Sequence, residues 1–275
     1  MSFTLSSDQY ASFHRDGYLI VKNLFDSEEV DMLLTTARND DALNANARDI
    51  EDTIGQKIKL ALWNHPGDDI FGLVARCHRV VDTAEALLGD EVYHYHSKLS
   101  IKEPKVGGAW EWHQDYGYWY QNGCLFPDML SCMISLDPST IENGCMQVLK
   151  GSHKLGRIEH QLEGEQTGAD KNRVAQATKL LDVVHAVMDP GDALFFHCNT
   201  LHCSAPNQSN DPRWLLISCY NSKHNNPYKE HHHPQYTPLE KVADESIKAF
   251  GVRSSDSQQE YLETRDDETT AAGKD

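Results

Sequence analysis

The chain has 275 residues, 39% of them hydrophobic, which is enough for a sizeable core in one large domain or two. Its formal net charge of −17 and pI near 5.2 argue against nucleic acid and anionic membrane surfaces as partners, since both reward basic patches. No apolar stretch approaches membrane-spanning length, and the first five residues lack the pattern of a secretory signal.

The acidity reads as a solubility device. Seven cysteines, an odd number with no Cys-x-x-Cys pair, lie partly within apolar runs. They point to buried thiols in a reduced, cytoplasmic protein.

In chain order, Ser6-Ser7-Asp8 reads as a helix N-cap, followed by Tyr10, Phe13 and His14 at helical spacing and a stop at Gly17. Tyr18 to Val21 is a short strand. Asp26-Ser27-Glu28-Glu29 opens a second helix with Val30, Leu33 and Leu34 on one face. Residues 39–55 are polar without a clear period and read as a loop that could cover a site. Lys57 to Trp63 alternates as a strand. Residues 69–88 carry one helical stripe, ended by Gly89. Val92 to Lys102 is a long strand, and short strands follow at 129–136, 145–149, 183–187, 193–197 and 213–220. Residues 156–178 read as a loop insertion, residues 234–250 as a last helix, and residues 253–275 as a frayed polar tail.

The chemistry concentrates in Trp112-His113-Gln114-Asp115. On a strand, His113 and Asp115 would share a face while Gln114 turns away from the ion they could reach. His202 lies far downstream, and Arg213, eleven residues later, opens the run Trp214-Leu215-Leu216-Ile217. Two histidines and a carboxylate on one face form the facial triad of non-haem Fe(II) oxygenases. An arginine within a strand suits a bidentate grip on a carboxylate, although a structural ion pair would also explain it. His197 cannot share a regular strand face with His202 and is the fallback ligand. His231-His232-His233 reads as a surface loop, and His153 as closing a turn.

The ordered set His-x-Asp, then His and Arg, resembles the phytanoyl-CoA dioxygenase family. Glu142 to Met146, the Gly151-Ser152-His153 turn, Pro190 to Leu194 and the opening Phe13 to Val21 carry the resemblance further. Around His-x-Asp the chain is similar to the family's ectoine hydroxylase branch. The resemblance implies an α+β fold: a double-stranded β-helix, a jelly-roll of cupin-like type, with the N-terminal helices on its outer face. A single domain would cover residues 1–252.

It also implies an Fe(II)- and 2-oxoglutarate-dependent dioxygenase that uses O2 and releases succinate and CO2. The substrate would be a small polar metabolite such as an amino acid, a zwitterion or a phosphonate, hydroxylated at an unactivated C–H. His113, Asp115 and His202 would bind the iron, and the presence of Asp115 favours oxygenation over halogenation. Arg213 would hold the distal carboxylate of 2-oxoglutarate, with Ser204, Lys98 and His96 beside the cosubstrate. Trp119, Tyr116 and Gln114 would line the substrate space. Three alternatives stay open: the same chemistry on an acyl-CoA or lipid, a hydrolase using another metal, and a ligand-binding barrel. Nothing in the sequence sets the oligomeric state.

Overall fold

The computed structural model describes residues 3–163, 165–253 and 261. Helix α1 (Ser7–Asp16) starts where the Ser6 side chain accepts from the Gln9 amide, and stops at Gly17, whose φ of +84° suits a residue without Cβ. Strand β1 (Tyr18–Val21) follows. Asp26 and Glu29 form a second capping box at the start of α2 (Ser27–Asn39). Residues 39–55 are not a loop. Asp40 caps a short α3 (Asp41–Asn46), and β2 (Arg48–Glu51) pairs antiparallel with β3 (Lys57–Trp63).

The stripe at 69–88 is two helices, α4 (Ile70–Arg76) and α5 (His78–Leu88). Cys77 between them is extended and bridges to Val242, a tertiary contact that no local signal announces. Strand β4 (Val92–Lys102) leads to β5 (Trp110–His113) and the short α6 (Asp115–Trp119). Then come β6 (Met129–Ser135) and β7 (Met146–Leu149). Residues 156–178 are structured rather than looped: β8 (His160–Glu163) and β9 (Gln166–Ala169) form a hairpin, followed by α7 (Lys171–Ala177). The chain continues through β10 (Val183–His185), β11 (Ala193–His197), β12 (His202–Ser204) and β13 (Arg213–Ser222). Of the helix expected over 234–250, only α8 (Ser246–Phe250) forms. The expected tail falls almost wholly outside the described residues.

Seven strands make an antiparallel sheet in the order β1-β11-β6-β13-β4-β3-β2, and four make a second in the order β10-β7-β12-β5. Side-chain alternation explains how the large sheet is covered. In β13, Trp214, Leu216 and Tyr220 pack with the helices, in one cluster with Phe13, Leu33, Val80 and Leu87. Leu215, Ile217 and Cys219 face the other way, into a cluster with Met146 and Val148 of the small sheet. Both faces of β13 and β6 are therefore buried along their whole length. Helices on one side and a second sheet on the other give the jelly-roll with outer helices. The β13–β4 register slips between Cys219 and Tyr220 of β13, which leaves Tyr95 of β4 as a bulge and turns both Tyr95 and His96 inward. His96, Lys98 and Ser100 then line the space between the sheets.

Candidate metal centre and cosubstrate cavity

His113 ends β5 and pairs in register with His202 at the start of β12. Asp115 is not on that strand. The backbone amide of Gln114 donates to His160 Nε2 at 2.9 Å instead of continuing a ladder, and Asp115 becomes the first residue of α6. The imidazole of His160 packs so closely on Gly117 that any Cβ there would overlap it. The turn after His113, rather than strand alternation, brings the carboxylate beside the two imidazoles. Ligand atoms of His113, Asp115 and His202 all lie within 4.8 Å of one another, and all three residues are buried.

Each imidazole is oriented through its far nitrogen. His113 Nδ1–H donates to the Glu111 carbonyl at 2.7 Å and His202 Nδ1–H to the Thr200 carbonyl at 2.9 Å. Those bonds fix the neutral tautomer with Nε2 as the free lone pair. The two Nε2 atoms stand 4.0 and 3.9 Å from Asp115 Oδ1. Ser131 Oγ donates to Asp115 Oδ2 at 2.8 Å. Burial opposes ionisation of Asp115, but Lys98, His202, His113 and the Ser131 hydrogen bond outweigh it and hold the carboxyl down to about 2. Burial, then the neighbouring His202, pushes the His113 imidazole well below its usual range. Two neutral imidazoles and a carboxylate form a donor set that fits Fe(II).

The triad opens into a cavity of about 1020 Å³, counting its open side. Arg213, His202, Ser204, His96, Lys98 and Trp119 all line it, with β2, β3 and the β8–β9 hairpin completing the wall. Arg213 is 1% exposed. It donates to the Gly144 carbonyl through Nη1, its Nε has no partner, and no carboxylate pairs with it among the described residues. A structural salt bridge is therefore not its role. Burial pulls the guanidinium down to about 10, the mark of a desolvated cation in need of an anion.

Nothing in the local sequence singles out Lys102, yet it is part of this end of the site. It stands opposite Arg213 in the ladder, whereas Lys98 stands opposite Ile217. Lys102 is fully buried, and its ammonium donates to Ser204 Oγ at 2.7 Å and to the carbonyl of Ala205. Lys98 instead adds its charge beside Asp115. Two expected substrate residues also do not line the cavity. Gln114 is wholly buried, its Nε2 donating to the carbonyls of Gly156 and Asn199 and its Oε1 accepting from the Ile158 amide. Tyr116 is buried with its hydroxyl donating to the Cys124 carbonyl. His197 points away, toward Phe13 and His153. His233 corrects the surface-loop reading of its tract: it is 5% exposed, lines the cavity and stacks on His96.

A jelly-roll with this donor set and an unopposed arginine on one cavity defines the Fe(II)/2-oxoglutarate oxygenase class. The phytanoyl-CoA dioxygenase (PhyH) family model matches residues 13–214, and the chain belongs to that family. It is 28% identical over 232 residues to an ectoine dioxygenase of Stutzerimonas stutzeri, covering 79% of this chain and 77% of that one. It is 32% identical over 179 residues to L-proline trans-4-hydroxylase of Streptomyces griseoviridis, covering 59% and 67%. The crystal structure of EctD from S. alaskensis with 2-oxoglutarate and 5-hydroxyectoine superposes with a TM-score of 0.73 at 26% identity, covering 88% of this chain and 91% of that one. The protein is an Fe(II)- and 2-oxoglutarate-dependent dioxygenase that consumes O2. No helix among the described residues is long and apolar enough to cross a membrane.

Proposed function

We propose that this dioxygenase hydroxylates a small amino-acid-like zwitterion, with His113, Asp115 and His202 holding the iron. The observation that carries the reading is the pairing of the triad with Arg213, a buried cation lacking a carboxylate partner in the same cavity. Arg213 takes the distal carboxylate of 2-oxoglutarate, since a planar fork and an unpartnered Nε suit a bidentate grip. Ser204, already accepting from Lys102, is left with its own proton to donate to the same ligand. When bound, iron would let O2 oxidise 2-oxoglutarate to succinate and CO2, one oxygen atom going to succinate and the other to the substrate C–H, which becomes C–OH.

The remaining walls fit a compact polar substrate. Trp119 offers an aromatic face, and Arg48 and Glu165 bring both signs of charge to the cavity. The relatives named for ectoine and L-proline act on molecules of this size and character. Met133, Phe196 and Ile217 add apolar surface to the cavity wall, which would help keep water from the reacting carbon.

The test begins without oxygen. Adding Fe(II) and then 2-oxoglutarate to the purified protein should produce the weak visible charge-transfer band of a chelated 2-oxoacid. The band should vanish in Asp115→Ala and need far more 2-oxoglutarate in Arg213→Ala. Under air, small zwitterionic amino acids should raise succinate release. If the band survives both substitutions, the ligand assignments fall.

A further inference from the structure

Outside the triad and the Arg213 end, one wall of the cavity is built from stacked polar rings. His96 is 3% exposed, and neither of its ring nitrogens has a hydrogen-bond partner. His233 stacks on it, with ring centroids 4.7 Å apart and planes 29° apart. Tyr95 supports His233 at 4.6 Å, and the Trp119 ring lies 5.7 Å from His96. Leaving both nitrogens of the buried His96 ring without partners costs free energy, so this wall of the cavity points to a ligand with polar groups to offer.

The hydrogen bonds of Asn64 fix which ligand group that is. Its Nδ2 lies 2.5 Å from the His232 carbonyl, and only an amide N–H can face a carbonyl. Its Oδ1 is therefore the atom 2.7 Å from His233 Nδ1, and that nitrogen must carry a proton. A neutral imidazole protonated at Nδ1 presents Nε2 as a bare acceptor. Burial, and then the neighbouring His96, hold His233 neutral. Nε2 has no partner among the described residues, and the ring lines the cavity.

We propose that the His96–His233 pair is the specificity element of the substrate chamber, and that it takes the N–H-bearing cationic end of the substrate. The substrate N–H donates to His233 Nε2, with the face of Trp119 beside the charge. This deepens the reading above and rests on it. It narrows the substrate to amines, cyclic amines or amidines that keep an N–H. Quaternary betaines could use Trp119 but have nothing to donate.

The experiment uses the native protein with Fe(II), 2-oxoglutarate and air, scored by succinate release. Matched sets supply the probes: an amino acid, its N-permethylated betaine, and the same carboxylic acid without the nitrogen. Amines should stimulate release with a kcat/KM at least tenfold above their betaines, and the nitrogen-free acids should give none. His233→Phe keeps the stack but removes the acceptor. It should raise the KM for the best amine about tenfold while leaving the 2-oxoglutarate titration of the charge-transfer band unchanged. His233→Gln, which restores an acceptor oxygen, should recover part of the loss. Equal turnover of betaines or nitrogen-free acids overturns the proposal. So does a panel in which the band forms but no amine stimulates release. Loss of the band itself marks failure of the iron and cosubstrate reading instead, and if the His233 variants do not fold, the panel on the native protein still decides.

Discussion

The ammonium of Lys102 meets the hydroxyl of Ser204 at 2.7 Å, directly across the ladder from Arg213. Neither cation has a carboxylate partner among the described residues, and burial, then the charge of Arg213, pushes the Lys102 amine well below its ordinary range. Two desolvated cations, Arg213 on the cavity wall and Lys102 behind Ser204, favour a bound dianion, and their burial costs free energy without one. Lys102→Met should therefore leave stability unchanged or higher. It should weaken 2-oxoglutarate at least tenfold, the loss of a charge-assisted contact behind Ser204. Anaerobic titration of the charge-transfer band reads the affinity and urea unfolding reads the stability. A variant that unfolds easily yet binds 2-oxoglutarate normally would make Lys102 a purely structural residue.

Ser131 touches no ligand in this scheme, yet its hydroxyl holds Asp115 Oδ2 at 2.8 Å. Partners of this kind orient a metal-binding carboxylate, and their loss costs about ten- to a hundredfold in metal affinity. Ser131→Ala should weaken Fe(II) by that factor, measured by competition with a chelator under anaerobic conditions. Its turnover should return at high Fe(II), whereas Asp115→Ala should stay inactive at any concentration. If Ser131→Ala binds iron like the wild type, the carboxylate is positioned by α6 alone.

The triad and Arg213 were legible because their residue types, order and spacing are rarely assembled by chance. Several strands were legible too: Lys57–Trp63, read from its alternation, and Val92–Lys102 and Ala193–His197 have the bounds expected from the sequence. What stayed hidden depends on tertiary pairing. Lys98 and Lys102 share a strand face, and only the register Lys102–Arg213 and Lys98–Ile217 shows which one joins the arginine. Asp115 looks like a strand residue until His160 captures the Gln114 amide from another hairpin. His233 reads as part of a surface tract, because nothing local records that Asn64 draws it into the cavity. The caps of α3 and α7 at Asp40 and Asp170 were readable signals within segments that their polarity made look like loops.

Gln114 sits between two residues of the triad but acts as a strut. Its amide joins Gly156, Ile158 and Asn199, so its loss strands two carbonyls and one N–H in the interior. Gln114→Leu should cost about 3 kcal/mol, the scale for stranding buried polar groups. Urea midpoints check this, and the KM for substrate should not move because the side chain does not line the cavity. A raised KM at undiminished stability would return Gln114 to the substrate wall.

His94 gives the fold an acid sensitivity that begins above the carboxylate range. Its Nδ1–H donates to the Asn64 carbonyl at 3.1 Å, and its Nε2 accepts from the Ser97 hydroxyl at 2.7 Å, so the neutral ring is fully satisfied. Burial holds the folded imidazole down to about 3. In the unfolded chain it titrates near 6.5. Below that pH the unfolded state binds a proton that the folded state refuses, so stability falls as pH falls, by about 1.4 kcal/mol per pH unit. The contribution is complete above 6.5 and is lost progressively from there toward 3. His94→Gln, which can keep a donor and an acceptor but cannot titrate, should flatten the decline between pH 6.5 and 4.5 by about one proton. Urea unfolding across that window measures the slope, and an identical slope in wild type and variant would remove His94 from the account.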